Sequence, residues 1–266
     1  MDLVFYDDSH EAQRIGILTL NHPEKRNALS QAMLEALDVQ LRRISSEGRV
    51  NAVILRGAGP VFSSGHDLKE VLFGGPPEVE ELFAVCAAVM STIRGIPQVV
   101  IAEVQGVATA AGCQIVAAAD LAVASTQARF ATPGVRIGFF CTTPSVFLGR
   151  SVPRKKAAEM LFTGEYISAE DAERFGLVNR VVSPEQLSSE ALALASQVAR
   201  FSLATLGEGK KAFYRQLGME DFQALAYASE VMVTESTKPD AKEGIGAFLE
   251  KRDPLWSDRS ASAPKS

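Results

Sequence analysis

The chain has 266 residues, of which 47% are hydrophobic and 22% are charged, and its formal net charge is −5. These proportions are typical of a globular protein with a substantial core, and they exclude a disordered or fibrous chain. The negative net charge argues against nucleic acid or an anionic membrane surface as the main partner. No segment reaches the roughly 18 consecutive apolar residues of a membrane span.

The cysteines and the first residues bear on the compartment. Cys86, Cys113 and Cys141 lie among apolar or small residues and show no CxxC spacing, which indicates buried free thiols in a reducing compartment. The opening stretch, MDLVFYDDSHEAQR, has neither the basic amphipathic pattern of a transit peptide nor an apolar signal segment. We therefore expect a cytoplasmic protein; the alternative is an organellar protein whose targeting segment is removed before this chain.

Strands and helices alternate in the first half of the chain. β-Branched apolar runs predict strands over residues 15–20, 50–56, 98–104 and 120–125. Apolar residues at helical spacing predict a helix that begins after Ser30, a second over 80–96 and a short buried one over 111–119, and GGPPEVEE (residues 74–81) is predicted to be a loop. Such alternation indicates an α/β fold with a largely parallel sheet covered by helices.

The second half is mostly helical. Helices are predicted over residues 153–164, 168–176, 184–200, 206–217, 221–237 and 240–251, with one short strand over 177–182. We divide the chain into an α/β core with the functional site (1–200), a helical C-terminal region (201–256) and a polar, disordered tail (257–266). The apolar faces of the helical region need a partner, which is either the core or another subunit.

Two turns rich in small residues follow predicted strands: VFSSGHDLKE (residues 61–70) and GVATAAGCQ (residues 106–114). Ligand sites in open α/β sheets lie at the carboxyl ends of the strands. Backbone N–H groups from the two turns could converge on one oxygen and form an oxyanion hole, which stabilises charge developing on a carbonyl. The alternative is that the small residues only allow close packing of the helix.

Six segments in order resemble one protein family: NHPEKRNALS, VFSSGHDLKE, IAEVQGVATAAGCQIVAAADLAVAS, ARFATPGVRIGF, MLFTGEYISAEDAERFGLVNRVV and AFLEKRDP. The family is the enoyl-CoA hydratase/isomerase (crotonase) superfamily, and the enoyl-CoA hydratase domain-containing proteins resemble the chain most. The resemblance implies a spiral of ββα units and a helical C-terminal region that builds trimers, often paired into hexamers. It also implies an acyl-CoA substrate, with coenzyme A as part of that substrate and no separate cofactor or metal.

The resemblance also implies roles for individual residues. The oxyanion-hole donors would be the backbone N–H groups of Ser64 and Ala111, and the second of these lies where a helix dipole is favourable. Coenzyme A contacts are expected from Lys25, Arg26, Ala28, His66, Asp67 and Leu68, and, by analogy near the nucleotide, from Phe248 and Lys251. For Lys25, Arg26 and Lys251 the alternative is a solvated charge on the protein surface.

The chain departs from this family where hydration needs titratable groups. Hydratases of the family use two glutamates to deprotonate water and to protonate the α-carbon, and the matching positions here are Gln114 and Gly134. An amide orients water but does not accept its proton at neutral pH, and glycine has no side chain. Hydration is therefore expected to be weak or absent even if the oxyanion hole is intact.

Other residues near these positions leave several functions open. Cys141 and Thr142 stand where related branches carry other catalytic residues, and His66 is a candidate proton carrier. Arg136 could meet a substrate carboxylate, although we expect it to form a structural salt bridge. The hypotheses are a non-hydratase acyl-CoA enzyme, such as a decarboxylase, another lyase or a hydrolase, and a catalytically silent acyl-CoA binder.

Overall fold

Ten strands and twelve helices form residues 2–260, which are the residues that this computed structural model describes. The strands are β1 (Val4–Asp7), β2 (Ile15–Leu20), β3 (Ala52–Gly57), β4 (Val61–Ser63), β5 (Val99–Val104), β6 (Val107–Thr109), β7 (Leu121–Ser125), β8 (Arg129–Ala131), β9 (Ile167–Ser168) and β10 (Arg180–Val182). The helices are α1 (Gln31–Glu47), α2 (Leu68–Phe73), α3 (Pro76–Gly95), α4 (Ala111–Ala118), α5 (Thr142–Ser151), α6 (Arg154–Thr163), α7 (Ala169–Arg174), α8 (Leu187–Ala199), α9 (Leu203–Gln216), α10 (Asp221–Ser236), α11 (Pro239–Glu250) and α12 (Ser257–Ser260).

The strands form two sheets. The larger has the order β1-β2-β3-β5-β7-β10 and is parallel except for the β1–β2 pair; the smaller has the order β4-β6-β8-β9 and is parallel except for the β8–β9 pair. Three times along the chain, a strand of the larger sheet (β3, β5 or β7) is followed by a strand of the smaller sheet (β4, β6 or β8). A helix then follows. This repetition is the predicted spiral of ββα units, and the α/β fold class is confirmed.

The larger sheet separates two apolar cores, one on each face, so its strands are buried on both faces. On one face lie α1 and α3, whose buried residues join the main core. On the other face α8 packs against β2, β3 and β5 and contributes Leu187, Ala191 and Leu194 to the second core. Helix α1 begins as predicted, since the Ser30 hydroxyl accepts a hydrogen bond from the Met33 N–H at 3.2 Å.

A cluster of polar side chains joins α9 to the core. The Lys210 ammonium lies 2.6 Å from an Asp120 carboxylate oxygen and donates to the carbonyls of Ile93 and Gln98. The Tyr214 hydroxyl donates to the other Asp120 oxygen at 2.7 Å. Burial lowers the pKa of Lys210, against the opposing pull of Asp120. These three side chains, Asp120, Lys210 and Tyr214, are called the buried polar cluster below.

The end of the described chain differs from the prediction of a disordered tail. Ser257–Ser260 form α12, and Asp258 is held by the Arg14 guanidinium at 2.8 Å. Residues 261–266, the rest of that predicted tail, lie outside the described residues. Helix α9 also begins earlier than predicted, at Leu203, because the Ser202 hydroxyl caps it by accepting from the Thr205 N–H. No helix within 2–260 is long and apolar enough to cross a bilayer.

Candidate active site

A cavity of about 830 Å³ opens between the smaller sheet, α2 and α5. Its wall is mostly apolar and aromatic, with contributions from Phe83, Ile137, Phe139, Phe140 and Tyr166. Sequence reasoning missed these residues, because scattered aromatic residues carry no motif. The predicted site residues that line the cavity are Lys25, Ala28, Ser64, His66, Asp67, Leu68, Ala111 and Gly134.

The two small-residue turns meet at Gly65. Strands β4 and β6 are parallel neighbours, so the turns that follow them lie side by side. Gly65 has φ +85°, and a Cβ built there would lie 2.9 Å from the Cβ of Ala110 and 3.3 Å from the backbone nitrogen of Ala111. Only glycine fits this approach without strain. The segment around Gly65 is therefore held directly against the first turn of α4.

One predicted oxyanion-hole donor is wrong. The Ser64 N–H donates to the backbone carbonyl of Arg26 at 3.1 Å and is not available to a substrate. The Gly65 N–H donates to the Ser63 hydroxyl at 3.2 Å. The next backbone N–H, that of His66, has no acceptor within the described chain. The available donor in this turn is therefore the N–H of His66.

The second predicted donor, Ala111, is available. It is the first residue of α4, and the first N–H groups of a helix have no partner within the helix. Ala110, just before it, has φ +50° and ψ −118°, a strained conformation for a residue other than glycine. Its N–H is fixed by the carbonyl of Ala131 at 2.9 Å. The turn is thus held in an unusual shape that leaves the Ala111 N–H without a backbone partner.

Gln114 lies on α4 but is not part of the cavity wall. Gln114 is 3% exposed, and the Oε1 atom of its side chain is buried without a hydrogen-bond partner among the described residues. A neutral amide cannot take a proton from water. The structure therefore offers no acid or base at this position.

Gly134 lies in a tight 3₁₀ turn, Pro133–Ile137, on the cavity wall. The Phe139 N–H donates to the Gly134 carbonyl at 2.9 Å. A Cβ built on Gly134 would lie 2.0 Å from the Phe139 carbonyl oxygen and 2.8 Å from the Cys141 sulfur. The segment between Gly134 and Cys141 therefore occupies the space that a side chain at position 134 would need.

The three cysteines of the chain are thiols rather than thiolates. Cys86, Cys113 and Cys141 are free and buried. Burial raises the pKa of Cys113 to about 12. Burial also raises the pKa of Cys141, which a hydrogen bond from Gly134 offsets in part. A nucleophilic cysteine needs a lowered pKa, so the geometry does not favour covalent catalysis at Cys141.

His66 lies in the cavity wall with its ring edge against Phe83, at a centroid distance of 5.0 Å. Its Nδ1 atom is 3.3 Å from the carbonyl oxygen of Leu29. Its Nε2 atom is buried and has no hydrogen-bond partner among the described residues. Burial lowers the pKa of His66 below the ordinary value of about 6.5, so the imidazole is neutral at pH 7.

The charged residues at the cavity differ in their surroundings. Lys25 is largely exposed, and its ammonium lies 3.8 Å from an Asp67 oxygen. Arg136 forms an ion pair with Glu165, so the predicted structural salt bridge is confirmed. Arg26 has φ +54° and contributes its carbonyl to Ser64, but it is not part of the cavity wall.

Phe248 and Lys251 do not line the cavity of their own chain. Phe248 is 81% exposed on α11, and Lys251 ends that helix with φ +57°. Among residues 2–260, no group of three or more histidine, cysteine, aspartate or glutamate side chains is placed to hold a metal ion.

The model of the enoyl-CoA hydratase/isomerase family matches residues 10–259. The chain belongs to this family. It is 48% identical over 241 residues to the rat "Enoyl-CoA hydratase domain-containing protein 3, mitochondrial", covering 90% of this chain and 80% of that protein. The resemblance inferred from the six sequence segments is thereby confirmed.

Solved structures agree with this assignment. A crystal structure of an enoyl-CoA hydratase from Mycobacterium smegmatis has a TM-score of 0.92 and 46% identity, covering 96% of this chain and 99% of that one. The crystal structure of human enoyl Coenzyme A hydratase domain-containing protein 3 has a TM-score of 0.91 and 44% identity, covering 96% and 100% of the two chains. The fold and family of the site are therefore those of the crotonase superfamily.

Proposed function

We propose that the chain binds an acyl-CoA thioester with the acyl group in the cavity and the thioester oxygen on the backbone N–H groups of His66 and Ala111. The observation that carries this proposal is the contact at Gly65, which brings two unbonded N–H groups to one wall of an apolar cavity. Backbone donors fixed before the substrate arrives stabilise an enolate oxygen without reorganisation.

The reaction proposed for this site is formation or capture of a thioester enolate, without hydration of an alkene. The absence of a titratable side chain at Gln114 and Gly134 supports this choice. Decarboxylation of a malonyl-type thioester fits, because loss of CO₂ produces the enolate without a strong base. A silent acyl-CoA binder is the second candidate, supported by the predicted binding residues that line the cavity: Lys25, Ala28, His66, Asp67 and Leu68.

The coenzyme A moiety is proposed to lie at the cavity mouth near Lys25, Ala28, Asp67 and Leu68, as part of the substrate. Lys25 is exposed there and is suited to a phosphate. A reducing compartment suits the buried free thiols. The cytoplasm meets this requirement, and so does the mitochondrion named for the rat relative.

Acetoacetyl-CoA tests the oxyanion hole, because its enolate absorbs in the ultraviolet. Binding to the wild-type protein is expected to increase the enolate absorbance, since two N–H groups favour the anionic oxygen. Gly65→Ala is expected to abolish this signal, because the added Cβ would push Ala110 and Ala111 away from residue 66. Ultraviolet difference spectra and calorimetry measure the enolate and the binding separately.

Gly209→Ala is the matched control for Gly65→Ala. Gly209 lies in α9, and a Cβ there meets nothing within 4 Å. This variant is expected to keep the enolate signal and to gain about 0.5–1 kcal/mol in stability. An unchanged enolate signal in Gly65→Ala would contradict the oxyanion-hole assignment, and the absence of any binding by the wild type would contradict the proposed function.

We also propose that the chain is a homotrimer or a hexamer made of two trimers. Helices α10 and α11 carry large apolar side chains that are exposed in the single chain: Phe222, Leu225, Met232, Val233, Ile245, Phe248 and Leu249. Monomeric proteins rarely expose so large an apolar surface. In the oligomer, a second copy would cover these apolar side chains and could also bring its own Phe248 and Lys251 to the site.

Native mass spectrometry is expected to give three or six times the chain mass of 28.5 kDa. Met232→Glu is expected to shift the protein towards the monomer, because Met232 is 71% exposed in the single chain and a carboxylate is costly in an apolar interface. Glu230→Gln on the same helix serves as the control for the position. A monomeric wild type at micromolar concentration would contradict the proposal.

A further inference from the structure

We propose that Arg94 is a positioning residue for the oxyanion hole, although it lies at the opposite end of α4 from the N–H donor. Helix α4 presents the Ala111 N–H at its amino end, and the Arg94 guanidinium binds carbonyl groups at its carboxyl end. This inference rests on the thioester position proposed above. Arg94 would fix the helix, and with it the donor, before a substrate arrives.

The carboxyl end of α4 has carbonyl groups that have no partner within the helix. Arg94, in the last turn of α3, donates from Nε to the Ala118 carbonyl at 2.7 Å and from Nη2 to the Ala117 carbonyl at 2.8 Å. The Ser151 hydroxyl of α5 also donates to the Ala117 carbonyl, at 3.2 Å. A planar guanidinium that binds two successive carbonyls fixes both the position and the tilt of the helix end.

The Arg94 guanidinium is in contact with two further helices. Its Cζ atom lies 3.9 Å from the centroid of the Tyr214 ring on α9 and 5.1 Å from that of the Phe147 ring on α5. Aromatic faces at these distances attract a cation. The Tyr214 hydroxyl in turn donates to Asp120, two residues after the end of α4. The buried polar cluster therefore supports Arg94 from the side of the C-terminal helices.

The amino end of α4 is in close contact with the turn that carries the His66 N–H. A Cβ built on Gly112 would lie 2.5 Å from the Ser63 carbonyl oxygen, and one built on Gly65 would lie 3.3 Å from the Ala111 nitrogen. An α-helix rises about 1.5 Å per residue, so α4 is about 12 Å long and moves as one unit. A tilt or slide at its carboxyl end therefore shifts the Ala111 N–H relative to the His66 N–H.

The charge of Arg94 acts in the same direction as its geometry. The carboxyl end of a helix carries a partial negative charge, which a nearby cation stabilises. The guanidinium offsets this negative pole, which would otherwise repel an enolate oxygen bound at the amino end. A neutral side chain at position 94 is therefore expected to weaken the oxyanion hole, because the helix end is released and its negative pole is no longer compensated.

Two spectroscopic readouts test this inference. The ultraviolet absorbance of bound acetoacetyl-CoA gives its enolate-to-keto ratio, and infrared spectra of carbon-13-labelled octanoyl-CoA give the stretching frequency of the thioester carbonyl. The wild type is expected to lower that frequency on binding, because two N–H groups polarise the carbonyl. Arg94→Met is expected to lower the enolate-to-keto ratio by about 10–10²-fold, since a misplacement of about 1 Å costs up to about 10²-fold.

The same variant separates positioning from binding. Arg94→Met is expected to return the carbonyl frequency of bound octanoyl-CoA towards that of the free thioester. Its calorimetric affinity for octanoyl-CoA is expected to change far less than the enolate-to-keto ratio, because Arg94 is not part of the cavity wall. A residue that only stabilised the fold would leave both spectra unchanged in the folded variant.

Two further variants complete the test. Arg94→Lys keeps the positive charge but not the planar fork of donors, so its enolate-to-keto ratio is expected to lie between those of the wild type and Arg94→Met. It also provides the test if Arg94→Met does not fold. Arg150→Met is the matched control, because Arg150 lies in the last turn of α5 and donates to the Val146 carbonyl of its own helix at 3.3 Å. This control is expected to give the wild-type spectra.

The outcomes distinguish this inference from the proposed function. A wild-type enolate-to-keto ratio in Arg94→Met, or in Arg94→Lys should Arg94→Met not fold, would overturn the role of Arg94 and leave the oxyanion hole in place. Equal losses of octanoyl-CoA affinity and of the enolate-to-keto ratio would also overturn it, since Arg94 would then support the whole cavity. A wild-type protein that gives neither binding nor enolate signal would refute the proposed function itself.

Discussion

Hydration of crotonyl-CoA by the wild-type chain is expected to be at least about 10⁴-fold slower than hydration by a family member that carries both glutamates. Each general acid or base contributes about 10²–10⁴-fold, and both positions are empty of titratable groups here. The loss of absorbance of the conjugated thioester measures the reaction. Hydration as fast as that by such a relative would mean that other groups in the site act as acid and base, and it would contradict this prediction.

Substituting the glutamates is not expected to restore hydration. Gly134→Glu places a Cβ 2.0 Å from the Phe139 carbonyl, so the turn must rebuild or the protein loses stability. Gln114→Glu places a carboxylate where the residue is 3% exposed, which is costly without a partner. Thermal unfolding of Gly134→Ala is expected to show the same steric defect, whereas Gly149→Ala in α5 has nothing within 4 Å of its Cβ and serves as the control.

The sequence predicted part of this result. It showed that no side chain exists at position 134, because glycine has none. It could not show that the turn Pro133–Ile137 brings the Phe139 carbonyl into that space, since a turn of this kind depends on backbone geometry over several residues. The residue and the turn together, rather than the residue alone, remove the second acid–base position.

The oxyanion hole gives a similar lesson. The motif located the turn correctly, since Ser64, His66, Asp67 and Leu68 line the cavity with Ala111. Which N–H is available depends on a hydrogen bond between distant parts of the chain, from Ser64 to the Arg26 carbonyl. No local pattern encodes that bond. A motif therefore identifies the segment, and the three-dimensional pairing identifies the donor.

Secondary structure was predictable where the apolar pattern was long. Four strands of the larger sheet, β2, β3, β5 and β7, and the helix α1 are long enough for their apolar pattern to be clear. Strand β10 has three residues, and the four-residue β1 was not predicted. The smaller sheet has strands of two or three residues, which carry no usable period. The loop predicted over residues 74–81 is mostly the first turn and a half of α3, which begins with Pro76 and Pro77, and proline is well accommodated in a first helical turn.

Asp120→Ala is expected to destabilise the protein by about 3–5 kcal/mol. The substitution leaves the Lys210 ammonium buried with two carbonyl partners and no anion. It also removes the acceptor of the Tyr214 hydroxyl and of the Val100 N–H. Urea unfolding, with the oligomer concentration held fixed, measures the change.

The pair Asp120→Ala and Lys210→Met distinguishes a buried charge from lost packing. The double variant has no uncompensated ammonium, so it is expected to be more stable than Asp120→Ala alone. Arg43→Ala breaks the exposed pair with Glu47 and should leave the stability nearly unchanged, because solvent screens that pair. A similarly small effect of Asp120→Ala would contradict the argument. Lys210 and Tyr214 belong to α9, and both bind Asp120 in the core. The expected loss of stability would therefore also show that the buried polar cluster holds the C-terminal helices against the core that carries the site.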